Sequence, residues 1–269
     1  MTRLLAFVSL ILAAITGTSS FAQDPKLVRL GTSSSVMSSG FHDLIVPRFE
    51  AETGYRVETF AVGSGQAMRL GRRGDVDILI THAPTSEAAF IESGYGVSRT
   101  PLMKNYFLII GPAHDPAGIK GSSSLASALR SIASTKSKFA SRGDDSGTHK
   151  RELAGWQAAG IAPYGSWYIE TGTPQKALMS FADNEKSYAL TDLGTWLLMR
   201  DSLTLEAMVE DDPILDNVYS ILRLNTDKVS GVNSAGADAL EAFLTAPETL
   251  ELIRGHSINN HPVFQILYQ

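Results

Sequence analysis

The chain contains no cysteine. Neither a disulfide framework nor a lipid-modified cysteine behind a leader segment can therefore exist. Long apolar runs are also missing. The most hydrophobic stretch, Leu4 to Ile15, falls short of the ~18–20 apolar residues that a membrane-spanning helix needs. Basic charge is scarce, with 23 Lys and Arg against 28 Asp and Glu for a net charge of −5. Such a chain is a poor partner for nucleic acid, which calls for basic patches. A small anion remains possible, because backbone N–H groups and helix ends attract it whatever the net charge.

Enzyme signatures are thin. There is no G-x-S-x-G elbow, no P-loop and no G-x-G-x-x-G; the nearest, "GSGQAM", carries Met68 where the last glycine belongs. No H-E-x-x-H is present, and His42, His82, His114, His256 and His261 are scattered. His149 and Glu152 stand three apart on an expected helix and read as a solvated helical face rather than a metal pair. A serine hydrolase built on Ser146 with His149 lacks a visible third partner. The expectation is no catalysis, no cofactor and no bound metal.

Residues 1–22 run from a basic start at Arg3 through the apolar Leu4–Ile15 to a polar end at Ser20-Phe21-Ala22. That is the pattern of a secretory signal peptide. Its removal takes away Arg3, so the net charge moves from −5 to −6. The expected product is a free periplasmic protein. The remaining 247 residues can bury a full core, and 43% hydrophobic with 19% charged residues fits a globular chain.

Strand and helix signals then alternate. Leu27–Leu30 reads as a strand entering "GTSSSVMSSG", followed by a helix over Phe41–Thr53 with Leu44, Ile45 and Phe49 on one face and a Gly54 stop. Strands over Tyr55–Val62 and Asp75–Thr81 enclose "GSGQ" and a short helix from Ala67. This βαβαβ rhythm predicts an α/β fold with a mostly parallel sheet and helices on both faces. Two long apolar strands, Tyr106–Ile110 and Asn217–Asn225, bracket a central block. They predict two lobes, the first from 23–110 plus 224–269 and the second from 111–223, with closing helices near Ala235–Leu244 and Pro247–Gly255.

Three Ser/Gly-rich turns, "TSSSVMSSG", "GSGQ" and "DDSGT", each follow a strand and precede a helix. Singly, each reads as an ordinary cap. Together, at the carboxyl ends of strands in an open α/β sheet, they occupy the place where ligands bind in such sheets. Free N–H groups and the helix dipole would hold a dianion there without a metal.

"GTSSSVMSSG", "GDVDILITHAP", "SRGDDSGTHKRE" and "YALTDLGTW", in this order, resemble the periplasmic tungstate-binding proteins of ABC transporters, relatives of the molybdate- and sulfate-binding proteins. The resemblance spans nearly all of the chain after residue 22. It implies the two-lobed type II binding-protein fold, a ligand in the cleft between lobes, and an ABC permease in the inner membrane as partner of a monomer. It offers Ser33, Ser34 and Ser35 from the first turn, Ser64 and Gly65 from the second, and Arg142, Ser146 and Thr148 from the third. The family's first turn is usually Thr-rich, and here Val36 stands where a last Thr belongs. Nothing is carried over from "GTPQKAL", Gly172 to Leu178.

The third turn, Arg142-x-Asp144-x-Ser146-Gly147-Thr148, also resembles that of the phosphate-binding proteins of ABC transporters, which supplies an Arg, an Asp, a Ser and a Thr, and it sets Asp144 and Asp145 among the donors. A phosphate near neutral pH keeps a proton for which a carboxylate is an acceptor. Tungstate, molybdate and sulfate carry none, and a facing carboxylate only repels them. The preferred reading makes both aspartates organisers, capping the helix and gripping the Arg142 guanidinium. The resemblance selects tungstate, with molybdate as the alternative and phosphate or sulfate behind.

Overall fold

The computed structural model describes residues 24–268. The expected signal peptide, residues 1–22, lies outside them. Among the described residues no helix is long and apolar enough to cross a membrane.

In chain order the elements are β1 Leu27–Ser33, α1 Ser34–Ser38, α2 Phe41–Thr53, β2 Arg56–Val62, α3 Ser64–Arg73, β3 Ile78–Thr81, α4 Pro84–Glu92 and β4 Gly96–Pro112. Then come α5 Leu125–Thr135, β5 Phe139–Ser141, α6 Gly147–Ala158, β6 Tyr168–Glu170, α7 Gln175–Glu185, β7 Tyr188–Asp192, α8 Leu193–Met199 and β8 Leu205–Val209. The chain closes with β9 Asp216–Leu224, α9 Ser234–Thr245, α10 Pro247–Arg254, β10 Ser257–Ile258, β11 His261–Pro262 and β12 Gln265–Ile266.

The α2 helix forms where its spacing predicts. Phe41, Ile45 and Phe49 recur every four residues and are buried, and left-handed glycines, Gly40 and Gly54, bracket it. Leu44 is only partly buried but packs against the same core, and Val46 is also buried. β1 runs three residues past the expected Leu30, because Gly31, Thr32 and Ser33 continue the parallel ladder with β2. Gly31 is required there, since a Cβ would come within 2.6 Å of Leu79 Cδ2. The serine turn is itself helical over α1, which brings its hydroxyls onto the first turn of a helix.

The first half of the molecule is the sheet β2-β1-β3-β9-β4, with β2, β1 and β3 parallel and β9 antiparallel to both β3 and β4. The second half pairs β6, β5 and β7 in parallel and sets β4 antiparallel to β7 and β8. Helices cover both: α2 and α9 pack on one face of the first sheet, while Ala67, Met68 and Phe90 of α3 and α4 form a core on the other. A separate core around Phe107, Phe139, Trp156 and Tyr188 lies on one side of the second sheet, while Ala140, Leu178 and Ala189 join the core of the first.

β4 is much longer than the expected Tyr106–Ile110. Arg99, Pro101 and Lys104 hide its first part from a search for apolar runs, and Pro101 sits at a shift of register where a missing N–H is tolerated. Its pairing with β9 ends at Tyr106 opposite Asp216, and its pairing with β7 begins at Phe107 opposite Asp192. All of β9 pairs within the first sheet, so the chain returns there at Asp216 and not near residue 223 as the apolar run implied.

Candidate functional site

The carboxyl ends of β1, β3, β5 and β7 point at one cavity of about 210 Å³, lined by Ser33, Ser34, Ser35, Ser64, Arg142, Ser146 and Thr148, with His82, Gln175, Lys176, Asp192 and Thr195 among its other walls. That is small beside the several hundred cubic ångströms of an organic-ligand pocket. All of the expected contacts are gathered there except Gly65. One residue inside α3, Gly65 turns instead to an adjoining recess with Gln66 and Arg69, where a Cβ would stand 3.6 Å from Lys150 Nζ.

Several helices begin at this cavity. α3 starts at Ser64, α6 at Gly147 and α7 at Gln175, so each aims N–H groups lacking intrahelical partners toward it. Ser146 caps α6, its Oγ accepting from the His149 N–H at 3.3 Å. The His149 ring makes no hydrogen bond to Ser146 Oγ among the described residues. Its Nδ1 accepts the Asp145 N–H at 3.0 Å instead, so no serine–histidine dyad is assembled.

Arg142 follows β5 and is gripped on two sides. Nη1 donates to Gln175 Oε1 at 3.1 Å and Nη2 to Asp144 Oδ2. Asp144 Oδ1 accepts the Ser146 N–H at 3.1 Å, which ties the arginine to the cap of α6. Burial would raise the Asp144 carboxyl, but hydrogen bonds from Ser146 and the Arg142 charge outweigh it and hold the group below its ordinary value. The Nε–H of Arg142 is buried and has no hydrogen-bond partner among the described residues. Asp144 and Asp145 both stand outside the cavity wall. Asp145, left-handed at φ 58° and largely exposed, pairs loosely with Lys150 and does not touch Arg142.

The carboxylate that does reach the cavity is Asp192, a residue outside the three serine turns. It caps α8: Oδ1 accepts the Thr195 N–H at 3.0 Å and Oδ2 the Thr195 hydroxyl at 2.8 Å. His82 also lies outside those turns. It follows β3, is 6% exposed, and meets Ser35 Oγ at 3.0 Å and Asn217 Oδ1 at 2.7 Å. Gln175 and Lys176 come from "GTPQKAL", with Gln175 Nε2 anchored on Leu190 O at 2.9 Å. The quoted "ITHAP" and "YALTD" stretches were the available signals for His82 and Asp192, but nothing local marks either side chain as facing a ligand.

Glu152 corrects the solvated-face expectation. It points inward from α6 and accepts Ser141 Oγ–H at 2.8 Å, Tyr168 O–H at 2.7 Å and Trp156 Nε1–H at 3.2 Å. Burial pushes its carboxyl up to about 7, and those donors, with the Arg142 backbone, pull only part of the way back. Among the described residues no three acidic or histidine side chains cluster as a metal site would.

Residues 19–248 match the family described as the PBP superfamily domain. A tungstate-binding protein TupA from Peptoclostridium acidaminophilum is 38% identical over 226 residues, covering 83% of this chain and 79% of that one. The structure of the tungstate-binding protein TupA from Desulfovibrio alaskensis aligns at 36% identity and a TM-score of 0.80, over 90% of this chain and 99% of its own. The structure of a tungstate ABC transporter protein from Geobacter sulfurreducens aligns at 36% identity and a TM-score of 0.78, over 87% of this chain and 100% of its own.

Proposed function

The chain belongs to the PBP superfamily, and from that premise we propose that it is the solute-binding component of an ABC importer, carrying tungstate, or molybdate in its place, as a dehydrated oxyanion. The observation that carries this reading is the buried, unpartnered Nε–H of Arg142, set among Ser33, Ser34, Ser35, Ser64, Ser146 and Thr148 in a cavity too small for most organic ligands. Hydroxyls, helix N-termini and one guanidinium supply donors on several sides of an anion that has no proton to offer. The relatives named for tungstate support the same ligand.

In this reading Asp144 organises Arg142 and does not face the anion; Asp145 has no such role, because it never reaches the guanidinium. The lobes are the two sheets joined through β4 and β9, and ligand binding shifts an open–closed equilibrium between them. The protein acts in the periplasm as a monomer, hands its cargo to a membrane permease and turns over no substrate.

Thermal unfolding with tungstate, molybdate, sulfate and phosphate in parallel tests the reading. Ligand at ~1,000 times its dissociation constant adds about 4 kcal/mol of stability, several degrees in midpoint for a chain of this size. A shift with tungstate and molybdate is expected. A shift with phosphate alone would refute it.

A further inference from the structure

The hydrogen bonds behind the serine turn have a direction that an unprotonated anion cannot use. Asn217 Nδ2 donates to Asn105 Oδ1 and to Tyr219 Oη, both at 2.8 Å, which leaves its carbonyl oxygen facing His82 Nδ1 at 2.7 Å. A carbonyl only accepts, so Nδ1 carries the hydrogen, and in a neutral imidazole Nε2 is then bare. Ser35 must spend its hydroxyl hydrogen on Nε2, 3.0 Å away. Ser33 Oγ lies 2.8 Å from Ser35 Oγ, and with the Ser35 hydrogen committed, Ser33 must donate in turn. Both hydroxyls thus point their hydrogens away from the cavity and their lone pairs toward it.

We propose that His82 is a positioning residue that takes up a solvent proton on Nε2 as the oxyanion enters, turning the Ser33 and Ser35 hydroxyls into donors to the anion. This rests on the oxyanion reading above. Nε2–H then donates to Ser35 Oγ. With that bond reversed, Ser35 no longer has to donate to His82 and Ser33 no longer has to donate to Ser35, so both hydrogens can turn to the ligand.

The ring cannot achieve the same by swinging away. It stacks on Tyr219 at 5.3 Å and Phe107 at 6.2 Å, and its edge meets Gly147 so closely that a Cβ there would stand 2.9 Å from His82 Cε1. The surrounding charges decide when the proton binds. Burial is the largest influence and lowers the His82 basicity, the Asn217 bond and the Asp192 and Glu87 carboxylates raise it, and Arg151 lowers it. Glu87 is already paired with Arg99, and Arg142 and Lys176 line the same cavity. The balance of these influences favours the neutral ring, and a dianion beside it supplies the missing counter-charge.

The test is calorimetric titration of the protein with sodium tungstate near neutral pH in buffers of different ionisation enthalpy. The expected heat varies with the buffer by an amount equal to nearly one proton taken up per anion, and affinity falls by up to about tenfold per pH unit as pH rises. His82→Gln is expected to bind more weakly, with heat independent of buffer. Tungstate binding with no buffer dependence in the unaltered protein would overturn the proposal while leaving the oxyanion reading intact. Uptake that survives in His82→Gln would also overturn it, and an absence of tungstate binding would remove both. If His82→Gln fails to fold, the buffer series on the unaltered protein still decides.

Discussion

Asp144 holds the guanidinium of Arg142 with one carboxylate oxygen and reaches the cap of α6 with the other. The arginine is therefore fixed in direction before any ligand arrives, which lowers the entropy lost on binding. Arg142→Ala removes the charge-assisted donor, and the dissociation constant for tungstate is expected to rise by at least ~30-fold, about 2 kcal/mol. Calorimetric titration measures it, and an unchanged affinity would put the site elsewhere.

Asp144→Asn separates the two meanings of that carboxylate. As organiser of Arg142, its loss weakens tungstate binding by roughly 1 kcal/mol and leaves the order of anions unchanged. As acceptor for a phosphate proton, it would instead be needed for phosphate alone. Parallel titrations with both anions distinguish the cases.

Gly147→Ala places a methyl group 2.9 Å from His82 Cε1 and 3.1 Å from Nε2. Because that contact joins the start of α6 to the end of β3, the overpacking of ~1–3 kcal/mol should fall on the closed, ligand-bound form. Tungstate affinity is expected to drop by tenfold or more while the unfolding midpoint of the free protein changes little.

Ser146→Ala removes the cap of α6 and a cavity hydroxyl together. A stability loss of about 1 kcal/mol is expected from the cap, read by denaturant unfolding without ligand. Ser64→Ala has no helix cap to lose, but it takes the Oγ that accepts the buried His82 N–H at 3.4 Å, so it should weaken binding and also cost some stability.

Glu152 gives a pH signature. Its folded value of about 7 lies above its ordinary 4.5, so the folded state binds the proton more tightly than the unfolded chain. Its contribution is fully present below pH 4.5 and is lost as pH rises through about 7. Relative to Glu152→Gln, the natural protein should lose up to ~3 kcal/mol across that interval, measured as the difference between their denaturant midpoints at each pH.

The parts of the fold that could be read in the sequence are those fixed locally. Ile45 and Phe49 announce α2, and the serine turns announce the cavity, because spacing and turn chemistry act within a few residues. The first half of β4 was hidden because Arg99 and Lys104 form side-chain contacts with Glu87 and Asp216 from other elements, which no local pattern records. His82, Asp192 and Gln175 were missed for a related reason. Their placement depends on how β3, β7 and β6 align across two sheets, and each resembles an ordinary strand end or helix start. Glu152 was misread because its partners Ser141 and Tyr168 lie on different strands.

β4 changes partners at a single peptide, Tyr106–Phe107, without leaving the extended conformation. A ribbon of this kind resists stretching and bending in its own plane but yields readily to torsion about its length. The two halves are accordingly coupled by a shaft and not by slack tethers. Rotation about it would change the angle between the cavity walls while keeping Phe107 and Asp192 in register.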